Sequence, residues 1–273
     1  MQLKHQFYLL MLVIGIYNGA NAQSSASTST GNLNLDFKLM VGAQRLQING
    51  EQVYQNALGE KFNLTLFNFF VSNIKLKTRA GVEYVVPQND SYFLVRANDS
   101  ASQVIQLKGV PSADYSEISF LIGVDSLRNT MDISLRTGVL DPAFGEREAN
   151  MYWSWNSGYI FVKMEGLSAQ AKVDRAGNAK FRYHIGGFGG MISKSINNIR
   201  SVSRSFNGQV ATVGKETQTT LNIQVDAAKL FDGPTQLSIA KNTTVMSGEI
   251  SGLIANNYVN MFQIGKIHNP TAQ

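Results

Sequence analysis

The chain has 273 residues, no cysteine, a net charge of +5 and only 16% charged residues. Without thiols it has no disulfide, zinc–thiolate site, iron–sulfur cluster or cysteine nucleophile, and no Lys/Arg run interleaved with aromatics tracks a phosphate backbone, so nucleic acid is excluded as a partner. Its length is enough to bury a sizeable core without a covalent staple.

Residues 1–22 have the layout of a secretory signal peptide. Lys4 and His5 precede an apolar core from Phe7 to Tyr17, and Ala20-Asn-Ala22 supplies small residues at a cleavage site. That core is short for a bilayer span. The expected product is a periplasmic or secreted chain beginning at Gln23, without a membrane span. Residues 23–32 are polar and of low complexity, a flexible linker. Residues 33–269 read as a single domain.

From Leu33 the pattern is strand after strand. Leu33, Leu35, Phe37, Leu39 and Val41 alternate with polar residues and with Met40. In the Lys61–Thr78 run, Phe62, Leu64, Leu66, Phe70, Ile74 and Leu76 are expected on one face, with Phe67 and Phe69 on the other, as in a strand crossing a packed sheet pair. Shorter strands follow at Tyr84–Val86, Tyr92–Arg96 and Gln103–Leu107. Gly109 to Tyr115 reads as a loop, Glu117 to Val124 as a strand, and Asp125 to Glu148 as the least regular part.

The segment Ala149 to Gly166 holds both tryptophans, Trp153 and Trp155. Period-2 geometry puts Met151, Trp153 and Trp155 on one face. Two core strands around a turn at Asn156-Ser-Gly158 account for it; so does a functional site. In the strand Ala179 to Ile185, Phe181, Tyr183 and Ile185 share a face, which puts His184 on the other beside Arg182. The glycines at 186–190 read as a turn, without the strand–GxGxxG–helix setting of a dinucleotide site. Thr217 to Val225 is a further strand, Asp226 caps a short helix over Ala227–Phe231, and a helical turn is expected in Asn256–Asn269. The whole predicts an all-β fold, an antiparallel β-sandwich (immunoglobulin-like or jelly-roll-like) with long loops and one or two short helices.

Several motifs occur together in order: Phe69-Phe-Val-Ser-Asn-Ile-Lys-Leu76, Gly109-Val-Pro-Ser-Ala-Asp-Tyr115, Phe120-Leu-Ile-Gly-Val-Asp-Ser126 and Gly138-Val-Leu-Asp-Pro-Ala143. Met151-Tyr-Trp-Ser-Trp-Asn-Ser-Gly-Tyr159 follows with Lys163-Met-Glu-Gly166, then Tyr183-His-Ile-Gly186, and Met261-Phe with Ile267-His-Asn269 closes the set. With these the chain resembles the MbnP-like copper-binding proteins, related to the methanotroph surface copper proteins MopE and CorA. The resemblance implies a reduced copper ion, Cu(I), held between histidine imidazoles and a kynurenine made by oxidising a tryptophan. It also implies a dihaem peroxidase-type partner that performs the oxidation. A metal-free branch is the alternative.

On this sequence the implied ligands are His184 and His268, with Trp153 or Trp155 as the modified residue. Two imidazoles leave a copper shell incomplete, so Met40, Met151, Met261, a modified tryptophan or water is needed as a further donor, and thioether and imidazole both suit copper. Neutral imidazole is the competent form, so binding is expected to weaken as protons compete. No catalytic residues are expected: the acids Asp125, Asp141, Glu146, Glu148 and Glu165 are scattered, Ser154 and Ser157 lack a nucleophile elbow, and the chain reads as a non-enzyme. A β-sandwich recognition or surface-adhesion module is the second reading; such a module displays Tyr and Trp on its surface.

Overall fold

The computed structural model describes residues 29–48, 50–143, 150–153, 158–191, 194–215 and 218–270. The expected signal peptide, most of the linker and Trp155 lie outside these. The chain forms β1 (Thr30–Val41), β2 (Gln44–Arg45), β3 (Tyr54–Gln55), β4 (Lys61–Phe62), β5 (Leu66–Thr78), β6 (Glu83–Val85), β7 (Tyr92–Arg96), β8 (Val104–Pro111) and β9 (Ala113–Ile122). A short helix α1 (Ser126–Thr130) opens the irregular stretch. Then come β10 (Tyr152–Trp153), β11 (Gly158–Leu167), β12 (Lys180–Gly186), β13 (Arg200–Ser205), β14 (Ala211–Val213), β15 (Gln218–Asp226), β16 (Thr244–Val245), α2 (Glu249–Tyr258) and β17 (Phe262–His268).

Among the described residues the strands make two main sheets. One runs β17-β15-β1-β2 with β8 also on β1; the larger runs β13-β9-β5-β11-β12-β16, with β6 and β7 on β5, β10 on β11 and β14 on β9. The sandwich is therefore the expected one, with two parallel pairs inside it, β1 with β15 and β12 with β16. The alternation in β1 sets the inner face of the first sheet: Leu33, Leu35 and Phe37 are fully buried. Phe37 meets Phe69 and Phe120 of the second sheet edge-on at 6.1 and 6.4 Å, a geometry aromatic rings favour.

Three local readings change. In β5 the inner residues are Phe67, Phe69 and Val71, then Ile74 and Leu76, while Phe70 faces outward. The parity changes at a register shift around Asn73, whose φ of 53° is a left-handed conformation that asparagine tolerates. The 109–115 stretch is mostly strand, shared by β8 and β9, with Gly109 at φ 66°. The helical turn expected in Asn256–Asn269 is present, as the end of α2 and a 3-10 turn at Val259–Met261, and strand β17 makes up the rest of the stretch. Strand β1 also starts at Thr30, inside the stretch read as linker.

The second sheet is covered on both faces. Its inner face joins the main core, and its outer face carries a second apolar cluster in which Phe70, Tyr159 and Phe161 from the sheet meet Leu140 of the irregular stretch, Val124 and Met151 at its two flanks, and Trp153 of β10. The cover is pinned by Arg136. Its Nε and Nη2 donate to the carbonyl of Met131 and its Nη2 to that of Asn129, and its guanidinium lies 5.3 and 5.4 Å from the Tyr152 and Tyr159 ring centres.

Candidate metal site on the outer sheet face

Inward Val162, Met164, Tyr183 and Ile185 force their neighbours Lys163, Glu165 and His184 onto the outer face. Register then pairs Lys163 with His184 and Glu165 with Arg182 across β11 and β12. On the diagonal, Nε2 of His184 lies 2.8 Å from Oε1 of Glu165, and Nζ of Lys180 lies 2.8 Å from Oε2. The His184 and Glu165 side chains are each 12% exposed. Burial would push the Glu165 carboxyl up, but hydrogen bonds from His184 and Lys180 and their charges overcome it and bring its pKa down to about 2.

An ionised carboxylate only accepts hydrogen bonds. The proton between the two groups therefore sits on Nε2 of His184, and in the neutral ring Nδ1 keeps its lone pair. No second hydrogen bond to this ring occurs among the described residues. A carboxylate behind an imidazole is the arrangement that orients metal-ligating histidines and raises their basicity.

Trp153 lies on the same face. A Cβ at Gly186 would sit 2.7 Å from Cζ3 of Trp153 and 2.4 Å from the Tyr159 carbonyl oxygen, so the indole rests directly on the Gly186 backbone. Gly186 is two residues beyond His184 on the same side of β12, about 7 Å along the strand. Met151 packs in the same outer cluster, and Nζ of Lys163 donates to the Asn150 carbonyl at 3.2 Å, holding the Trp153 segment against the sheet.

The other proposed ligands lie elsewhere. His268 ends β17 in the first sheet, exposed and opposite Thr220. Met40 is on the outer side of β1 in that same sheet and lines a 580 Å³ cleft with Lys38 and Arg45. Facing sheets stack about 10 Å apart, so outward groups of opposite sheets do not share an ion. Met261 is fully buried in the main core. Trp155 lies outside the described residues. No group of three or more His, Asp or Glu that could hold a metal ion occurs among the described residues.

Glu165 falls within the Lys163-Met-Glu-Gly166 motif but reads in the sequence only as a scattered acid, because its partner is 19 residues away and meets it only through the β11–β12 register. No helix among the described residues is long and apolar enough to cross a membrane.

No curated protein matches the chain. Among solved structures it is similar to MbnP from Methylosinus trichosporium, with a TM-score of 0.59 and 15% identity over 86% of this chain and 98% of that one, a likeness of fold. The sequence model of the MbnP family matches residues 30–247, a stretch that contains Trp153, Glu165 and His184 and ends before His268. The chain belongs to the MbnP family.

Proposed function

We propose that this chain is a secreted or periplasmic copper-binding protein, non-enzymatic, that sequesters or carries the metal at the outer face of the β11–β12 pair. The observation that carries the reading is the His184–Glu165 contact. It fixes the imidazole tautomer and offers Nδ1 as a donor in a largely buried setting, on the strand face where the Trp153 indole rests on Gly186, two residues away. Membership of the MbnP family supports copper as the metal. The local charge supports the reduced ion: Glu165 is matched by Lys180, and Lys163 is the cross-strand neighbour of His184, so a singly charged cation meets less repulsion than a divalent one. Imidazole with thioether donors suits Cu(I) as well.

Oxidation of Trp153 or Trp155 to kynurenine by a dihaem peroxidase-type partner belongs to the same proposal, as does cleavage after Ala22. The adhesion-module reading gains no support, since no described Tyr or Trp is exposed. Anaerobic Cu(I) titration of the mature protein against a chromophoric competitor tests the proposal. Binding near one equivalent, lost in His184→Ala, is expected; an unmodified competitor spectrum throughout the titration would overturn it.

A further inference from the structure

The methionines among the described residues can be sorted by position. Met164 and Met261 are fully buried in the main core. Met40 belongs to the opposite sheet, Met131 receives Nη1 of Arg128 on its sulfur at 3.4 Å, and Met191 is 69% exposed beyond the end of β12. Two remain on the outer side of the larger sheet: Met151, 4% exposed and packed into the outer apolar cluster, and Met246, packed against that cluster.

Met246 owes its position to the parallel pairing of β12 with β16. Arg182 stands beside Thr244 and Tyr183 beside Val245. Tyr183 and Val245 are both buried inward and end the ladder; Met246 follows in the bend just beyond β16, half-buried against the outer cluster that contains Trp153. Neighbouring strands are about 4.8 Å apart. An unbranched side chain with three rotatable bonds readily turns its sulfur toward the adjacent imidazole.

A single buried side chain ties these two arms together. Nδ2 of Asn198, which is fully buried, donates to the Gly186 carbonyl at 2.7 Å and to Oγ of Ser251 at 3.0 Å. Oγ of Ser251 in turn donates to the Gly248 carbonyl at 2.6 Å. Gly186 lies two residues past His184, and Gly248 two residues past Met246. The Asn198 backbone adds a hydrogen bond from its N–H to the Gly187 carbonyl at 2.8 Å, and Tyr258 donates its hydroxyl to the Asn198 carbonyl. Both arms are thereby fixed to one point without any metal, which reduces the ordering cost of binding.

We infer that Met246 is a thioether donor to the His184 copper site, preorganised by Asn198. The inference rests on the function proposed above and adds the soft ligand that makes the site selective for Cu(I). It assigns Met151 to packing around Trp153.

Copper K-edge X-ray absorption on the Cu(I)-loaded mature protein tests it. A sulfur shell is expected in the wild type, retained in Met151→Leu and lost in Met246→Leu. Cu(I) affinity should fall about ten- to a hundredfold in Met246→Leu, a loss comparable to perturbing a metal's supporting shell. Selenomethionine labelling throughout the protein should replace the sulfur shell by a selenium one, a readout that needs no substitution. A copper shell of nitrogen and oxygen alone, or a sulfur shell that survives Met246→Leu, overturns the inference and leaves the His184 site standing. Absence of copper binding overturns both.

Discussion

Nε2 of His184 and Oε1 of Glu165 meet at 2.8 Å on the covered outer face of the β11–β12 pair. The contact makes a histidine that is ordinary in sequence into a ring of defined tautomer. Replacing Glu165 by Gln keeps size and hydrogen-bonding capacity but removes the charge that assigns the proton, since an amide can accept from or donate to the ring. Cu(I) affinity of Glu165→Gln is expected to fall about ten- to a hundredfold, measured by competitive titration. Unchanged affinity would mean that the carboxylate plays no part in presenting Nδ1.

Gly186→Ala tests the seat of Trp153. The added methyl would meet a backbone oxygen at 2.4 Å and the indole at 2.7 Å, and a backbone oxygen moves only with its strand. Destabilisation of about 2–3 kcal/mol is expected, with a shifted tryptophan emission as the indole is lifted. Chemical denaturation and fluorescence measure the two effects, and wild-type stability and emission together would show that the ring does not rest there.

Arg136→Met tests how the irregular cover is held. It removes the hydrogen bonds to the Asn129 and Met131 carbonyls and the stacking on Tyr152 and Tyr159, while keeping an apolar stem. A loss of about 2–3 kcal/mol is expected, together with faster proteolysis between residues 126 and 143, because local opening tracks the contacts that hold a segment down.

Glu60 supplies a pH dependence independent of the metal. Burial alone would raise its pKa, but it accepts from the Ala240 and Ile239 amides, Nδ2 of Asn56 and Oγ of Ser238, which brings it below the ordinary carboxylate value. A lowered folded pKa contributes stability that is present above the unfolded pKa of about 4.3 and is lost as pH falls through the lower folded value. At pH 7 Glu60→Gln should cost about 2 kcal/mol. The difference from wild type should shrink below about pH 4, as followed by denaturation at several pH values.

The period-2 alternation of Leu33 to Val41 announced its strand, and that of Phe181 to Ile185 put His184 on the correct face. The face change in β5 was not legible, because Asn73 is one of many asparagines and nothing local says that this one is left-handed. The partners of His184 were not legible either. Glu165 reaches it through a register set by two inward-facing strands, and the neighbourhood of Met246, proposed as a further donor, follows from a parallel pair formed by a two-residue strand too short to show a pattern. His268 shared a family-like motif with His184, but the topology assigns β17 to the opposite sheet, a separation that only long-range pairing decides.

That separation permits the most direct test of the copper site. Cu(I) affinity should be measured for His184→Ala and His268→Ala side by side, with circular dichroism confirming both folds. Loss of binding in His184→Ala and wild-type affinity in His268→Ala is the expected pair of results; equal loss in both, or full binding without His184, would contradict a site built on the His184–Glu165 contact.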